Sequence, residues 1–339
     1  MSKDKPDTTS NAEQVMQFLG PGLIVTQAIY VAVRLGIPDV LADGPKSALE
    51  IAEATGAHAP TLSRLLGAIS TLGLFTEDQT GQFSNTALGE MLREDNPESV
   101  RAGVTLLPAS FCWRPLGEMY ESVRTGQPAF DRIYGQHFFD YLAAHPGDAA
   151  VFDAAMTAHF NPAFVARIVD AYDFSQFSTI VDVGGGQGAM LKGILLANPR
   201  LHGILFDLPN VVAGAVLPGE ELAGRAEVVP GSFFGRIPEG ADAYLFRSVL
   251  GDWDDEHVLK ILKSCRQAIP THGTLLLMEG VVPKGTVPKV GWGDLLMLVL
   301  VGGRERTLSD FESLLQQTGF SAPRIVTKEG ISILESHPI

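Results

Sequence analysis

The stretch that most limits the fold is TIVDVGGGQGAM, residues 179–190, which packs four glycines into five positions between an apolar run and a helical one. The apolar run is too short for a helix. Glycine then lets the backbone turn and approach a ligand closely, and apolar residues resume at helical spacing. This is the opening strand, loop and helix of a doubly wound sheet, in which ligands lie beyond the carboxyl ends of the strands. The downstream texture agrees: HGILFDL, AEVVPG, DAYLFRSV and THGTLLLMEGVV read as strands, and QGAMLKGILLANP and DEHVLKILKSCRQAI as helices. The alternation predicts a parallel α/β sheet with helices on both faces. SAPRIVTKE and GISILES, joined by Glu-Gly, predict a terminal antiparallel hairpin.

The glycine loop fits two ligand patterns. Gly184, Gly186 and Ala189 match a dinucleotide fingerprint, whereas Gly184, Gly186 and Gly188 follow an acid, Asp182. A carboxylate is unfavourable beside a pyrophosphate and favourable beside an ammonium and a sulfonium. Capping the helix that begins near Gln187 is the other role open to Asp182. A second acid, Asp207, ends the next strand, where it can take ribose hydroxyls in either ligand class. Two acids around three glycines favour S-adenosylmethionine over NAD.

The first third of the chain is different. Residues 11–35 read as helix, interrupted near Gly20-Pro21-Gly22, with Ile24, Ile29, Val31, Val33 and Leu35 leaving little polar surface for anything but core or oligomer contact. Ser47-Ala-Leu-Glu50 is a capping-box sequence. Leu62, Leu65, Leu66, Ile69 and Leu72 follow Pro60 at helical spacing, and residues 74–85 predict a hairpin. Helix, helix, hairpin is a winged-helix pattern, but residues 41–100 carry three basic side chains against nine acidic ones. Such a surface repels a phosphate backbone, so no nucleic-acid partner is expected, and dimerisation is the better use of the module. The chain as a whole has a net charge of −14.

Other classes fall away on composition. Two cysteines, Cys112 and Cys265, imply no disulfide framework, and a polar N-terminus without an apolar core is no signal peptide, so a cytoplasmic location is expected. The longest apolar run, residues 295–301, is far short of a bilayer span. The histidines show no metal-ligand spacing, so no metal is expected. Aromatic side chains crowd residues 100–165, mostly as core, with a few available to line a pocket for a flat ligand.

The motifs VDVGGGQG, FDLPNVV, GSFF, DWDDEHVLKILKSC and GGRERT, with the terminal hairpin, resemble those of class I S-adenosylmethionine-dependent O-methyltransferases of the plant caffeic-acid type and their bacterial natural-product relatives. The resemblance covers nearly the whole chain. It implies a tail over 1–10, a mainly α-helical winged-helix dimerisation domain over 11–100, a helical linker over 101–174 that contributes to the acceptor pocket, and a Rossmann-like catalytic domain over 175–339. It further implies a homodimer acting on a small aromatic or polyketide-type acceptor. Asp182, Gly184, Gly186, Asp207 and Leu208 should hold S-adenosylmethionine, with Ser232, Phe233, Arg247 and Trp253 around its adenine end. Met156 and Met297 match methionines that sandwich the acceptor ring, with gap filling in the core as their alternative use. His159 falls at an acceptor-pocket position. Glu279 and Glu305 match the two acids that orient the family's catalytic histidine.

Two positions depart from that pattern. Ser232 stands where the family writes an acid, and Gly251 stands where it writes the catalytic histidine. An ordinary phenol has a pKa of about 10, so a positioned base is worth roughly 10²–10⁴ in rate. Its loss leaves three readings: an acceptor oxygen that is already acidic, a substitute base (His159 first, then His137 or Asp252), or a retained cofactor site used for hydroxylation, decarboxylation or pericyclic chemistry. Methyl transfer to an acidic hydroxyl or carboxyl is the preferred expectation.

Overall fold

The structure is a computed structural model that describes residues 11–159, 161–217, 219–222, 224–282, 291–328 and 331–339, so the tail over 1–10 lies outside the described residues. Its contacts divide into two compact units, Met1–Ala109 and Ser110–Ile339.

The first unit opens with a helix over Asn11–Arg34. The break expected at Gly20-Pro21-Gly22 does not occur. A proline costs a helix one backbone bond, but tertiary packing outweighs that loss where the helix is anchored. Here the C-terminal turns are anchored, with Ala32 and Val33 fully buried. Ser47 and Glu50 form the capping box of the Ala48–Thr55 helix, and Pro60 lies in the first turn of the Ala59–Ser70 helix. The hairpin pairs Phe75–Glu77 with Gln82–Asn85, and Lys46–Ser47 adds a third short strand. Ile37, Ile51, Leu62, Leu66, Ile69, Phe75 and Phe83 form one core. The winged-helix reading holds.

The second unit begins with helices, among them Phe138–Ala144, Pro146–His159 and Pro162–Ala171. Seven strands follow: β1 Thr179–Val183, β2 His202–Asp207, β3 Ala226–Pro230, β4 Ala243–Arg247, β5 Thr274–Met278, β6 Arg324–Lys328 and β7 Ile331–Ser336. They line up as β6-β7-β5-β4-β1-β2-β3. β1 to β5 pair in parallel, and β7 is antiparallel to both β5 and β6. The reversed strand therefore sits one place in from the edge.

Side-chain alternation divides the core between the two faces of the sheet. Val181, Val183, Tyr244, Phe246, Leu275 and Leu277 pack with the Asp255–Ala268 and Leu308–Gln317 helices. Ile180, Ala243, Leu245 and Leu276 pack with the Ala189–Ala197 and Pro162–Ala171 helices. Asp182 shares the period of Ile180, so a carboxylate enters an otherwise apolar layer. The chain order reverses between β1 and β4, which places a crevice between the loops that follow them.

Candidate active site

That crevice holds a cavity of about 420 Å³ lined by the loops after β1, β2, β3 and β4 and by the Pro146–His159 helix. Every residue expected at the cofactor lines it: Asp182, Gly184, Gly186, Asp207, Leu208, Ser232, Phe233, Arg247 and Trp253.

The loop after β1 needs its glycines for two reasons. Gly184 and Gly186 have φ of 70° and 61°, where a side chain strains the backbone. A Cβ on Gly184 would also stand 2.7 Å from Val249 Cγ2, and one on Gly185 would stand 2.6 Å from the Asp182 carboxylate. The Gly184 N–H donates to the Phe206 carbonyl at 2.8 Å, which stitches the loop to β2.

Five aspartates, Asp140, Asp153, Asp182, Asp207 and Asp252, line this cavity, and the Asp207 charge acts on both Asp182 and Asp153. Asp182 is fully buried, and among the described residues neither of its carboxylate oxygens has a hydrogen-bond partner. Burial, and then the Asp207 charge, push it up to about 7. Asp207 accepts from the Gly186 N–H at 2.8 Å and the Leu208 N–H at 2.6 Å. Burial still raises its pKa, and those two amides oppose the shift. Asp153, on the Pro146–His159 helix, is pushed up to about 6 by burial and by Asp207. An anion here would add like charge to like charge. A cationic nucleoside with an ammonium and ribose hydroxyls answers the orphaned oxygens and relieves the repulsion. The residues present therefore fit S-adenosylmethionine and do not fit a pyrophosphate. Asp182 has no hydrogen bond to a helix amide, so it is not a helix cap.

One wall of the cavity is aromatic. Trp253 stacks on His137 with ring centroids 4.8 Å apart and on Phe139 at 5.6 Å, and Phe234 meets it edge-on at 4.7 Å. Phe139 and Phe152, from the aromatic-rich helices, also line the cavity, whereas Phe111, Phe130 and Phe138 are core. Arg247 lies 5.6 Å over the Phe164 ring, and burial pulls its guanidinium down against the pull of Glu279.

Around Gly251 the arrangement differs from expectation. Glu279 orients no side chain at 251, nor is it free for other work. Its Oε1 accepts from the N–H groups of Val249 at 2.9 Å and Leu250 at 3.0 Å, and its Oε2 from Gly251 at 3.3 Å. With no side chain at 251 to meet, this buried carboxylate satisfies the amides of the turn. Arg306 grips the same turn from its carbonyl side. This fully buried guanidinium donates to the carbonyls of Leu250 at 2.6 Å and Trp253 at 2.7 Å and pairs with Asp255 at 2.8 Å. Ser248, at the start of the turn, holds a φ of 50° that only non-local contacts can impose on a serine. Among the described residues the Glu305 carboxylate accepts only a long contact from the Gly291 N–H, at 3.5 Å.

A smaller cavity of about 150 Å³ takes in Gly251, Glu279, Glu305 and Met297, and shares Ser248 and Asp252 with the larger one. Burial, and then the Glu279 charge, push Asp252 up to about 8. Met156 lines the larger cavity and Met297 the smaller. His159 ends the Pro146–His159 helix, but its side chain lies outside the described residues. His137 is held by its stack on Trp253 and by a 3.3 Å bond from Nε2 to the Val301 carbonyl, which fixes the proton on that nitrogen.

Sequence reasoning overlooked Asp153, Ser248 and Arg306. Asp153 lies three residues before Met156, on the same helical face, and that spacing could have found it. Arg306 sits inside GGRERT beside Glu305, and the motif carries no signal for which of its side chains is buried. Among the described residues no helix is long and apolar enough to cross a membrane, and no cluster of metal-ligating side chains occurs.

Comparison with known proteins agrees with this geometry. The O-methyltransferase dimerisation domain family matches residues 18–95, and the O-methyltransferase domain family matches residues 113–321. Phenazine O-methyltransferase PhzM of Lysobacter antibioticus is 42% identical over 322 residues, covering 94% of each chain. Mitomycin biosynthesis 6-O-methyltransferase of Streptomyces lavendulae is 38% identical over 328 residues, covering 95% of this chain and 93% of its own. Among solved structures, NcsB1 from neocarzinostatin biosynthesis, in complex with S-adenosylmethionine and 2-hydroxy-5-methyl naphthoic acid, superposes with a TM-score of 0.80 at 36% identity, covering 93% of this chain and 96% of that one. These relatives favour methyl transfer over a chain that only keeps the cofactor site. The chain belongs to the S-adenosylmethionine-dependent O-methyltransferases of natural-product biosynthesis.

Proposed function

We propose that the protein methylates an already acidic oxygen, a hydroxyl or carboxyl, on a flat aromatic or polyketide-type natural product. The observation that carries this reading is the Gly251 turn. No side chain projects at position 251, and the acid beneath it is spent on backbone amides. When bound, the cofactor supplies an electrophilic methyl on a sulfonium. The chain's own residues then bind, orient and keep water out. Asp182, Asp207 and the glycine loop take the cofactor's charged and ribose groups. Leu208, Ser232, Phe233, Trp253 and Arg247 surround its base. Met156 and the aromatic side chains from the helical segment lie against the acceptor. Alignment is the larger part of catalysis where the leaving group is good and the nucleophile arrives ionised. The acceptors named for the relatives, a phenazine and a hydroxynaphthoic acid, are flat and aromatic and support the same class.

Incubation with labelled S-adenosylmethionine and a panel of hydroxyquinone, phenolic and carboxylate aromatics should yield S-adenosylhomocysteine and methylated product in a ratio of one. A ratio far from one would defeat methyl transfer. The rate should stay level as pH falls, until the acceptor itself protonates. A step near 6.5 that vanishes in His159→Ala would instead assign a histidine base. Asp252 is held protonated at neutral pH, and asparagine mimics that form. Asp252→Asn should therefore cost less than about tenfold in turnover. A loss of 10²-fold or more would make Asp252 the base and overturn this reading.

The protein also acts as a homodimer built through its first unit. Leu23, Ile24 and Val31 of the long helix are 65%, 70% and 39% exposed in the single chain, an apolar face that water would penalise. Light scattering should report a dimer at micromolar concentration, and Leu23→Asp with Ile24→Asp should shift it to monomer. A wild-type monomer would contradict this.

A further inference from the structure

We propose that the small cavity beside Gly251 is an acceptor subsite for an amino substituent, with Gly251 as the residue that sets this specificity. The proposal rests on the acceptor reading above.

The space exists because of one missing side chain. A Cβ on Gly251 would stand 3.4 Å from Glu279 Oε2 and 3.5 Å from Met297 Sδ, both ordinary contacts. Its φ is outside the left-handed region, so the backbone does not demand glycine here. Any larger residue would point into the cavity of about 150 Å³ and fill it. That cavity shares Ser248 and Asp252 with the larger one, so a ring in the larger cavity can extend a substituent past them.

The commitments of the lining groups define the substituent. Both guanidinium groups are occupied: Arg306 by Leu250, Trp253 and Asp255, and Arg304 by Asp255 at 2.9 Å and Asp310 at 3.7 Å. Glu279 accepts three amides. Among the described residues the Glu305 carboxylate receives only the long Gly291 contact, so it keeps acceptor capacity. Burial, and then the Glu279 charge, keep Asp252 protonated. A group that brings N–H donors and positive charge satisfies Glu305 and offsets Glu279. A carboxylate or phosphate substituent would place like charge beside Glu279 and Glu305, and the two cations of the lining, Arg304 and Arg306, are already engaged.

The test uses the full-length protein loaded with S-adenosylhomocysteine, with benzylamine and benzyl alcohol as probes of equal shape and different charge. Titration calorimetry should show benzylamine binding at least tenfold tighter than benzyl alcohol. Gly251→Val should weaken benzylamine at least tenfold, and Glu305→Gln about fivefold or more. Equal affinities for the two probes, no benzylamine binding, or an unchanged benzylamine affinity in Gly251→Val would overturn the subsite. Loading with S-adenosylhomocysteine in the same experiment reports folding. If Gly251→Val fails to load, Gly251→Ala, whose Cβ fits without displacement, together with Glu305→Gln decides. Wild-type protein that does not bind S-adenosylhomocysteine would instead defeat the methyltransferase reading, whereas loading without probe discrimination defeats the subsite alone.

Discussion

Replacing Arg306 by alanine should lower the stability of the catalytic unit by about 3–5 kcal/mol. The guanidinium is fully buried and holds two carbonyls of the turn after β4, those of Leu250 and Trp253. Removing it orphans the Trp253 carbonyl and leaves the Leu250 carbonyl only a long 3.4 Å bond from the Trp253 N–H, at roughly 1–3 kcal/mol for each bond lost. Asp255 adds little to that cost, because it is half-exposed and water can solvate it. At about 2–4 °C per kcal/mol for a unit of this size, the thermal midpoint should fall by about 10 °C. Arg306→Lys should recover only part of the loss, since an ammonium cannot reproduce the fork. The same change should weaken cofactor binding, because the Trp253 wall hangs from the gripped carbonyl. A midpoint within 2 °C of the wild type would show that the turn stands without its clamp.

The features that could be read from sequence share one property: their cause is local. An acid inside TIVDV is anomalous by period alone, and Asp182 is a buried carboxylate in an apolar layer. Glycines that must adopt positive φ are visible because no other residue would be tolerated there. The capping box at Ser47 and the start of the helix at Pro60 follow from neighbours within four positions. What could not be read depends on contacts distant in the chain. Arg306 bonds carbonyls about fifty residues away, and nothing in GGRERT says which residue of the motif faces inward. The resemblance leaves Glu279 without the histidine it would orient, and its partners, the amides of the turn that carries Gly251, have no local signal. Pro21 shows the converse, a local signal that packing elsewhere in the helix overrides. The positive φ of Ser248 has no sequence signature at all, since serine does not prefer it.

Replacing Asp207 by alanine should weaken S-adenosylmethionine binding by about 1.5–3 kcal/mol, or roughly 10–150-fold, the worth of hydrogen bonds to a charged acceptor. Asp207→Asn isolates the cause. It keeps an oxygen for the Gly186 amide but loses the charge, so it should lie between the alanine variant and wild type. The carboxyl cluster also gives this affinity a pH dependence. Asp182 titrates near 7 in the cofactor-free protein because of burial and the Asp207 charge. A bound cation favours its ionised form, so below that pH binding must expel a proton. Affinity should therefore be level above about 7 and fall as pH drops below it, at most tenfold per unit for one proton. In Asp182→Asn the fall should begin lower, near 6, where Asp153 takes over as the titrating group. Calorimetry between pH 5 and 7.5 tests this while the cofactor's own α-amino group stays protonated. An affinity that is flat across that range in the wild type, or a profile unmoved by Asp182→Asn, would remove Asp182 from the cofactor site. Unchanged affinity in Asp207→Ala would do the same for Asp207.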